Sequence, residues 1–219
     1  MVNKNPLRDK EIAIIAYAEL PNQRGSGKRP YEFGAEIMAQ LIGRSGIEHS
    51  DIDGLAVISP IAEAGNTFYS IAMADTLGLA PRWSQVSDIG GCSPIGNVAR
   101  AAAAIQSGQC EMVMCIAADA SSAGVAGRRL GGFREEFMDP TGFQGPPIAF
   151  GVLSHAYDQQ YGLSLEALGK LAVTQRNGAL VNENAVSSLR KPITVEDYLN
   201  SRMIAEPIRL LDCVMRVDG

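Results

Sequence analysis

Cys92 is the residue of this chain whose type and setting best suit chemistry. It stands in Asp88-Ile-Gly-Gly-Cys-Ser-Pro-Ile-Gly96, which runs on into Asn97-Val-Ala-Arg-Ala-Ala-Ala-Ala-Ile105. The alternating stretch Trp83-Ser-Gln-Val-Ser-Asp88 predicts a strand, and the alanine-rich run predicts a buried helix. Cys92 is therefore expected on a glycine-flanked turn from strand to helix. Gly90 and Gly91 permit a tight backbone path there. A helix start supplies unpaired N–H groups and the positive end of the dipole, which favour a thiolate. The same groups, the N–H of Cys92 first among them, could hold an oxyanion formed when the sulfur attacks an acyl carbonyl. The plainer role of a cysteine is that of a small buried hydrophobe. That role suits Cys110 at a helix-to-strand turn, Cys115 in Met112-Val-Met-Cys-Ile116 and Cys213 in Leu210-Leu-Asp-Cys-Val214, since none has a glycine turn or helix start beside it.

The elements that must position this turn follow from periodicity. Glu11-Ile-Ala-Ile-Ile-Ala16 predicts a strand buried on both faces, and Gly54-Leu-Ala-Val-Ile58 a second. Pro21 to Pro30 predicts an exposed loop whose Lys28 and Arg29 are solvated. Between them, Phe33, Ile37, Met38, Leu41 and Ile42 recur at helical spacing over 31–44, and His49 falls in a polar connection. A helix over 67–77, with Asn66 as its cap, precedes the Trp83 strand. Glu111 to Ala118 predicts a further strand buried on both faces. The alternation of strand and helix through Ala118 argues for an α/β fold with a mostly parallel sheet and helices on both faces.

Beyond Asp119 the texture changes. Residues 120–147 are rich in Gly, Ser and Pro, and a stretch this long without periodicity is more often a binding loop than filler. Arg128, Arg129 and Arg134 lie in it and are candidates for phosphate oxygens, because Arg presents paired donors; Glu135 and Glu136 could instead pair with them. Residues 148–161 predict a helix carrying His155, which reads as a packed or half-exposed side chain rather than a base for Cys92. Ser164 is the expected cap of a helix reaching about Leu180. Thr194-Val-Glu-Asp197 caps a short helix ending near Arg202, and an extended segment follows from Pro207.

Composition removes several classes. A net charge of −5 and a pI near 5.1 give no general attraction to nucleic acid or anionic membrane. No uninterrupted apolar run is long enough to span a bilayer, and the first ten residues lack the apolar core of a signal peptide. The cysteine spacings contain no C-x₂-C pair, and His49 and His155 are not near them in sequence, so no metal site is expected. No phosphate loop of the G-x-x-x-x-G-K-[ST] kind occurs. Four scattered cysteines point to a reducing compartment, the cytoplasm.

Gly-Gly-Cys-Ser leading into a small-residue helix resembles the nucleophile segment of thiolases, in the branch of the sterol-carrier-protein and lipid-transfer-protein thiolases. Tyr161-Gly162, Leu165-Glu-Ala-Leu-Gly-Lys-Leu-Ala172, Arg176-Asn177, Asn182, Arg190-Lys-Pro-Ile-Thr194, Glu196-Asp197, Ser201-Arg202, Pro207-Ile-Arg-Leu-Leu-Asp-Cys213 and Asp218-Gly219 resemble that branch in the same order. The resemblance covers essentially the whole chain. It implies a thiolase-like layered fold, with a mostly parallel five-stranded sheet, a helical and loop insertion, and a second half absent from this chain. It divides the chain into an N-terminal α/β domain over 1–119, a loop domain over 120–206 that covers coenzyme A and substrate, and a return strand over 207–219.

The resemblance further implies an acetyl-CoA acetyltransferase-like enzyme of lipid metabolism, a thiolase-type acyltransferase in which Cys92 accepts the acyl group. Its substrates would be coenzyme A thioesters, with no permanently bound cofactor, and its assembly a homodimer or dimer of dimers. The family's base histidine, in a Gly-His-Pro segment, and its second cysteine, in a Cys-x-Gly segment, belong to the half beyond Gly219, so the chain is expected to be truncated and incompetent alone. The alternatives are a thiolase-like retro-aldolase subunit working with a small OB-fold partner, or a non-catalytic acyl-CoA-binding half-domain. In the retro-aldolase relatives the cysteine position is often replaced, which makes Cys92 an argument for thiolase chemistry.

Overall fold

The structure is a computed structural model that describes residues 12–123, 134–142 and 145–219. It divides into two compact units, residues 1–127 with 217–219, and residues 128–216.

The first unit is built on three parallel strands, β1 (Gly54–Ile58), β2 (Trp83–Ser87) and β3 (Val113–Ile116), in the order β2-β1-β3. Gly54 pairs with Trp83 on one side and Val113 on the other, and Val57 with Val86 and Ile116. The central strand is buried along Gly54–Val57, which is why it reads as an unbroken apolar run, whereas β2 alternates in burial as an edge strand does. Parallel strands need crossovers, supplied by α2 (Tyr69–Thr76) between β1 and β2 and by α3 (Ser93–Gln106) between β2 and β3. The helix α1 (Pro30–Ser45) precedes them, with Pro at its start and Glu32 in its first turn. Phe33, Leu55, Val57, Tyr69, Met73, Leu77, Met114 and Ile116 form the core between helices and sheet.

Asp53 fixes the entry to β1. Its carboxylate accepts the amides of Glu111 and Met112, each at 2.8 Å, and Arg82 lies 3.4 Å away. Burial raises its pKa, but those hydrogen bonds and the guanidinium outweigh it and hold the carboxyl below its ordinary value.

Of the five strands expected, the described residues place three in the parallel sheet, beside a separate antiparallel pair. Residues 12–16, expected as a buried strand, take no strand pairing among the described residues, and Ile14 and Ile15 are 78% and 58% exposed. β-branched composition makes a segment suited to a sheet, but only a neighbouring strand edge makes it one.

The second unit carries α4 (Pro146–Tyr161), α5 (Leu165–Val181), α6 (Val195–Leu199) and the antiparallel pair β4 (Met203–Ala205) and β5 (Ile208–Arg209). Ser164 accepts the amide of Ala167 at 3.1 Å, and Thr194 and Asp197 cap each other's backbone, as their spacing predicts. Tyr198 is fully buried and donates to Asp212 at 3.0 Å; burial, with that carboxylate, pushes its hydroxyl up to about 12. Over 207–219, expected as a return strand, only Ile208–Arg209 is a strand, paired within this unit; Leu210–Asp212 forms a 3₁₀ turn. The chain belongs to the first unit again at Val217–Gly219. There Asp218 exchanges backbone hydrogen bonds with Gln23, while its carboxylate accepts from the amides and hydroxyls of Ser26 and Ser122 at 2.8–3.0 Å. Among the described residues no helix is long and apolar enough to cross a membrane.

Candidate functional site

Cys92 sits where its neighbours predict. It is the N-cap of α3, exposed, at the end of the turn that leaves β2. Gly90 takes φ +62°, a left-handed conformation that L side chains rarely adopt, which accounts for one of the two glycines. The Ser93 amide donates to the Gly90 carbonyl at 3.0 Å and the Gly96 amide to the Cys92 carbonyl at 2.9 Å. At this helix start the Ser93 N–H is committed and Pro94 has none. Gly91 has open space where a Cβ would be, so the backbone beside the sulfur is uncovered.

Beneath the turn lies a buried polar group that sequence reasoning missed. Ser87, Ser93 and Asn97 are 1%, 3% and 1% exposed. Ser93 Oγ accepts the amide of Ile89 at 2.9 Å and so closes the loop. Ser87 Oγ donates to Asn97 Oδ1, which also accepts Gln85 Nε2 at 3.0 Å, and Arg100 donates to Ser87 Oγ at 2.6 Å. The i, i+4 spacing of Ser93 and Asn97 was the available signal, since it places two polar residues on one face of an otherwise alanine-rich helix. Asn97 Nδ2 has no partner among the described residues.

The other three cysteines behave as packing residues. Cys110 is fully buried, Cys115 lies in β3, and Cys213 Sγ donates to the Arg209 carbonyl at 3.4 Å. Burial pushes all three thiols up, with Asp53 adding to the effect on Cys110 and Asp212 on Cys213. His49 is corrected from a loop side chain to one hydrogen-bonded to the Leu77 carbonyl at 2.7 Å. His155 meets Gln159 at 3.1 Å on α4. Arg128 and Arg129 lie outside the described residues, and Arg134 opens the π-helical turn Arg134–Met138. Among the described residues no group of three or more metal-ligating side chains occurs.

No protein-family model matches the chain. It is 31% identical over 217 residues to the steroid side-chain-cleaving aldolase of Thermomonospora curvata, covering 94% of this chain and 54% of that protein. It is 28% identical over 222 residues to the 17-hydroxy-3-oxo-4-pregnene-20-carboxyl-CoA lyase of Mycobacterium tuberculosis, covering 95% and 55% respectively. The chain thus spans about half the length of these curated relatives. The Ltp2–ChsH2(DUF35) aldolase superimposes with a TM-score of 0.77 at 30% identity, over 90% of this chain and 50% of that one. A monomeric SCP2-thiolase-like protein of Mycobacterium smegmatis has the same fold, with a TM-score of 0.67 at 20% identity over 86% and 40%. These findings overturn the acetyl-CoA acetyltransferase expectation. In sequence, two curated relatives of that name align over only 73 residues, a third of the chain, whereas the aldolase and the lyase align along nearly all of it.

Proposed function

From the premise of a thiolase-superfamily fold, we propose that this chain is the Cys92-bearing half of an aldolase that cleaves a carbon–carbon bond next to a coenzyme A thioester. The alignment of nearly the whole chain with a steroid side-chain-cleaving aldolase and a carboxyl-CoA lyase carries this reading. The name of the lyase describes a hydroxyl on carbon 17 and a thioester carboxyl on carbon 20. The hydroxyl is therefore β to the thioester carbonyl, the arrangement a retro-aldol cleavage requires.

In that step a base takes the hydroxyl proton, the C–O bond becomes a ketone, and the bond between the α and β carbons breaks. Its electron pair moves into the thioester enolate, whose α carbon is then protonated. The first half of the site must stabilise the enolate oxygen and deliver that proton. The N–H of Cys92 is assigned the oxygen, and the Cys92 thiol, exposed at the turn, the proton. The thiol is restored by the proton taken from the hydroxyl. Gly90 and Gly91 keep the approach to both groups open. Arg128, Arg129 and Arg134 are proposed to meet the phosphates of coenzyme A, and a DUF35-type subunit is proposed as partner, as in the solved aldolase complex. The same proposal includes a domain division at 119/120 and 206/207 and assembly as a homodimer or dimer of dimers.

The test is to incubate the protein, with such a partner, with a steroid carrying a β-hydroxyacyl-CoA side chain and to follow products by mass spectrometry. A steroid ketone and a shortened acyl-CoA in equal amounts are expected. Intact substrate, or release of free coenzyme A without ketone, would count against the proposal.

A further inference from the structure

Gly96 lies in the first turns of α3, and its φ is outside the left-handed region, so its backbone does not require glycine. Glycine is also among the weakest helix formers. Its reason is found in the turn it faces. A Cβ built on Gly96 would lie 2.9 Å from Ile89 Cδ1 and 3.9 Å from Ile89 Cγ1. The end of Ile89 is therefore seated in the notch left by the missing side chain, although Ile89 as a whole is 50% exposed. The same residue is tied down by its backbone, because its amide donates to Ser93 Oγ at 2.9 Å. Ile89 thus grips α3 at two points, Ser93 and Gly96, both after Cys92 in sequence, and the loop closed between Ile89 and Ser93 is Gly90, Gly91 and Cys92.

We infer that Ile89 seated on Gly96 is the device that fixes the Cys92 sulfur relative to the start of α3, which makes Ile89 and Gly96 positioning residues. The inference rests on the catalytic assignment of Cys92. Two glycines make the turn the softest part of the strand-to-helix junction, since glycine loses the most conformational freedom on ordering. The hydrogen bonds that close the loop, from the Ile89 amide to Ser93 Oγ and from the Ser93 amide to the Gly90 carbonyl, both converge on Ser93 and leave the loop free to rock about it. An apolar side chain packed in a notch adds a second, separate point and removes that freedom.

The printed distances give a size-exchange test. Gly96→Ala puts a methyl 2.9 Å from Cδ1 and must turn that end of Ile89 out of the notch, whereas Ile89→Val removes Cδ1 and leaves the notch empty. The double variant Gly96→Ala with Ile89→Val places Cγ1 and the new methyl about 3.9 Å apart, an ordinary van der Waals contact. Iodoacetamide labelling of each cysteine would be followed against pH by mass spectrometry in the purified protein, with thermal melting in parallel. Each single variant is expected to change the Cys92 rate by about fivefold and to move its pH profile, a size typical of an off-rotamer side chain. The double variant is expected to restore both, while Cys110, Cys115 and Cys213 label as before in all three.

A Gly96→Ala protein that melts higher yet labels as the wild type would overturn the inference, because Ile89 would then be a passive surface residue. So would a double variant no closer to wild type than the singles. If Gly96→Ala fails to fold, Ile89→Val alone decides the matter, since an unaltered Cys92 profile there removes the grip. Loss of ketone formation with an intact Cys92 profile would strike the aldolase reading and leave this one standing.

Discussion

The Cys92 turn and the Asp218 junction are made of the same materials, loop backbone and short polar side chains, and they do opposite things with them. At Asp218 a carboxylate only 1% exposed is surrounded by four donors from Ser26 and Ser122. It joins segments separated by 96 and 192 residues, and both its oxygens accept hydrogen bonds. At Cys92 the backbone is pinned by Ser93, Gly96 and Gly90 while the sulfur is left exposed. Firm scaffolding beneath and an uncommitted functional group above distinguish a candidate site from a structural joint.

The comparison can be broken most forcefully at Asp218. Asp218→Ala strands buried donors and is expected to cost about 3 kcal/mol or more in a denaturant titration. A loss under about 1 kcal/mol would show that the junction is not structural. The same carboxyl makes a pH prediction. Burial raises its pKa, but the hydrogen bonds from Ser26 and Ser122 win and hold it below its ordinary value. A depressed folded pKa favours the native state above the unfolded value of about 3.9. That contribution is lost as pH falls through the folded pKa, so the acid limb of the stability curve should flatten in Asp218→Asn.

Cys92→Ala is the reciprocal case, with a large effect on chemistry and a small one on folding. Cleavage of the β-hydroxyacyl-CoA substrate should drop about a hundredfold, while stability changes by less than about 0.5 kcal/mol. Undiminished cleavage would remove Cys92 from the mechanism. Gly90→Ala forces a left-handed alanine and should destabilise by about 1–2 kcal/mol; no change in melting would mean that the turn relaxes at no cost. Ser26→Ala, the mildest change, removes one hydroxyl donor from Asp218 and should cost about 1 kcal/mol. A larger loss from Ser26→Ala than from Asp218→Ala would place the strength of the junction elsewhere.

Much of this was legible in residue order because it depends on local spacing. The double-sided run of β1, the caps at Ser164 and Thr194 and the Gly-Gly-Cys-Ser turn into an alanine-rich helix need only near neighbours. The supposed strand over 12–16 was not legible, since its apolar residues are the same whether or not an edge accepts them. Nor could the presence of Cys92 decide between thiolase and aldolase chemistry, because a helix start presents a thiol in the same way for either reaction.

The sequence by itself determined the parallel α/β character, the place of Cys92 at a strand-to-helix turn and the packing role of the other three cysteines. Tertiary structure alone decided that Asp218 closes onto Ser26 and Ser122, that Ser87 and Asn97 meet beneath the turn, and that Gly96 leaves room for Ile89. The physical reason is one of range. Propensity, capping and periodicity act over a few residues and are written in their order, whereas hydrogen bonds and close contacts between distant segments exist only once the core has brought those segments together.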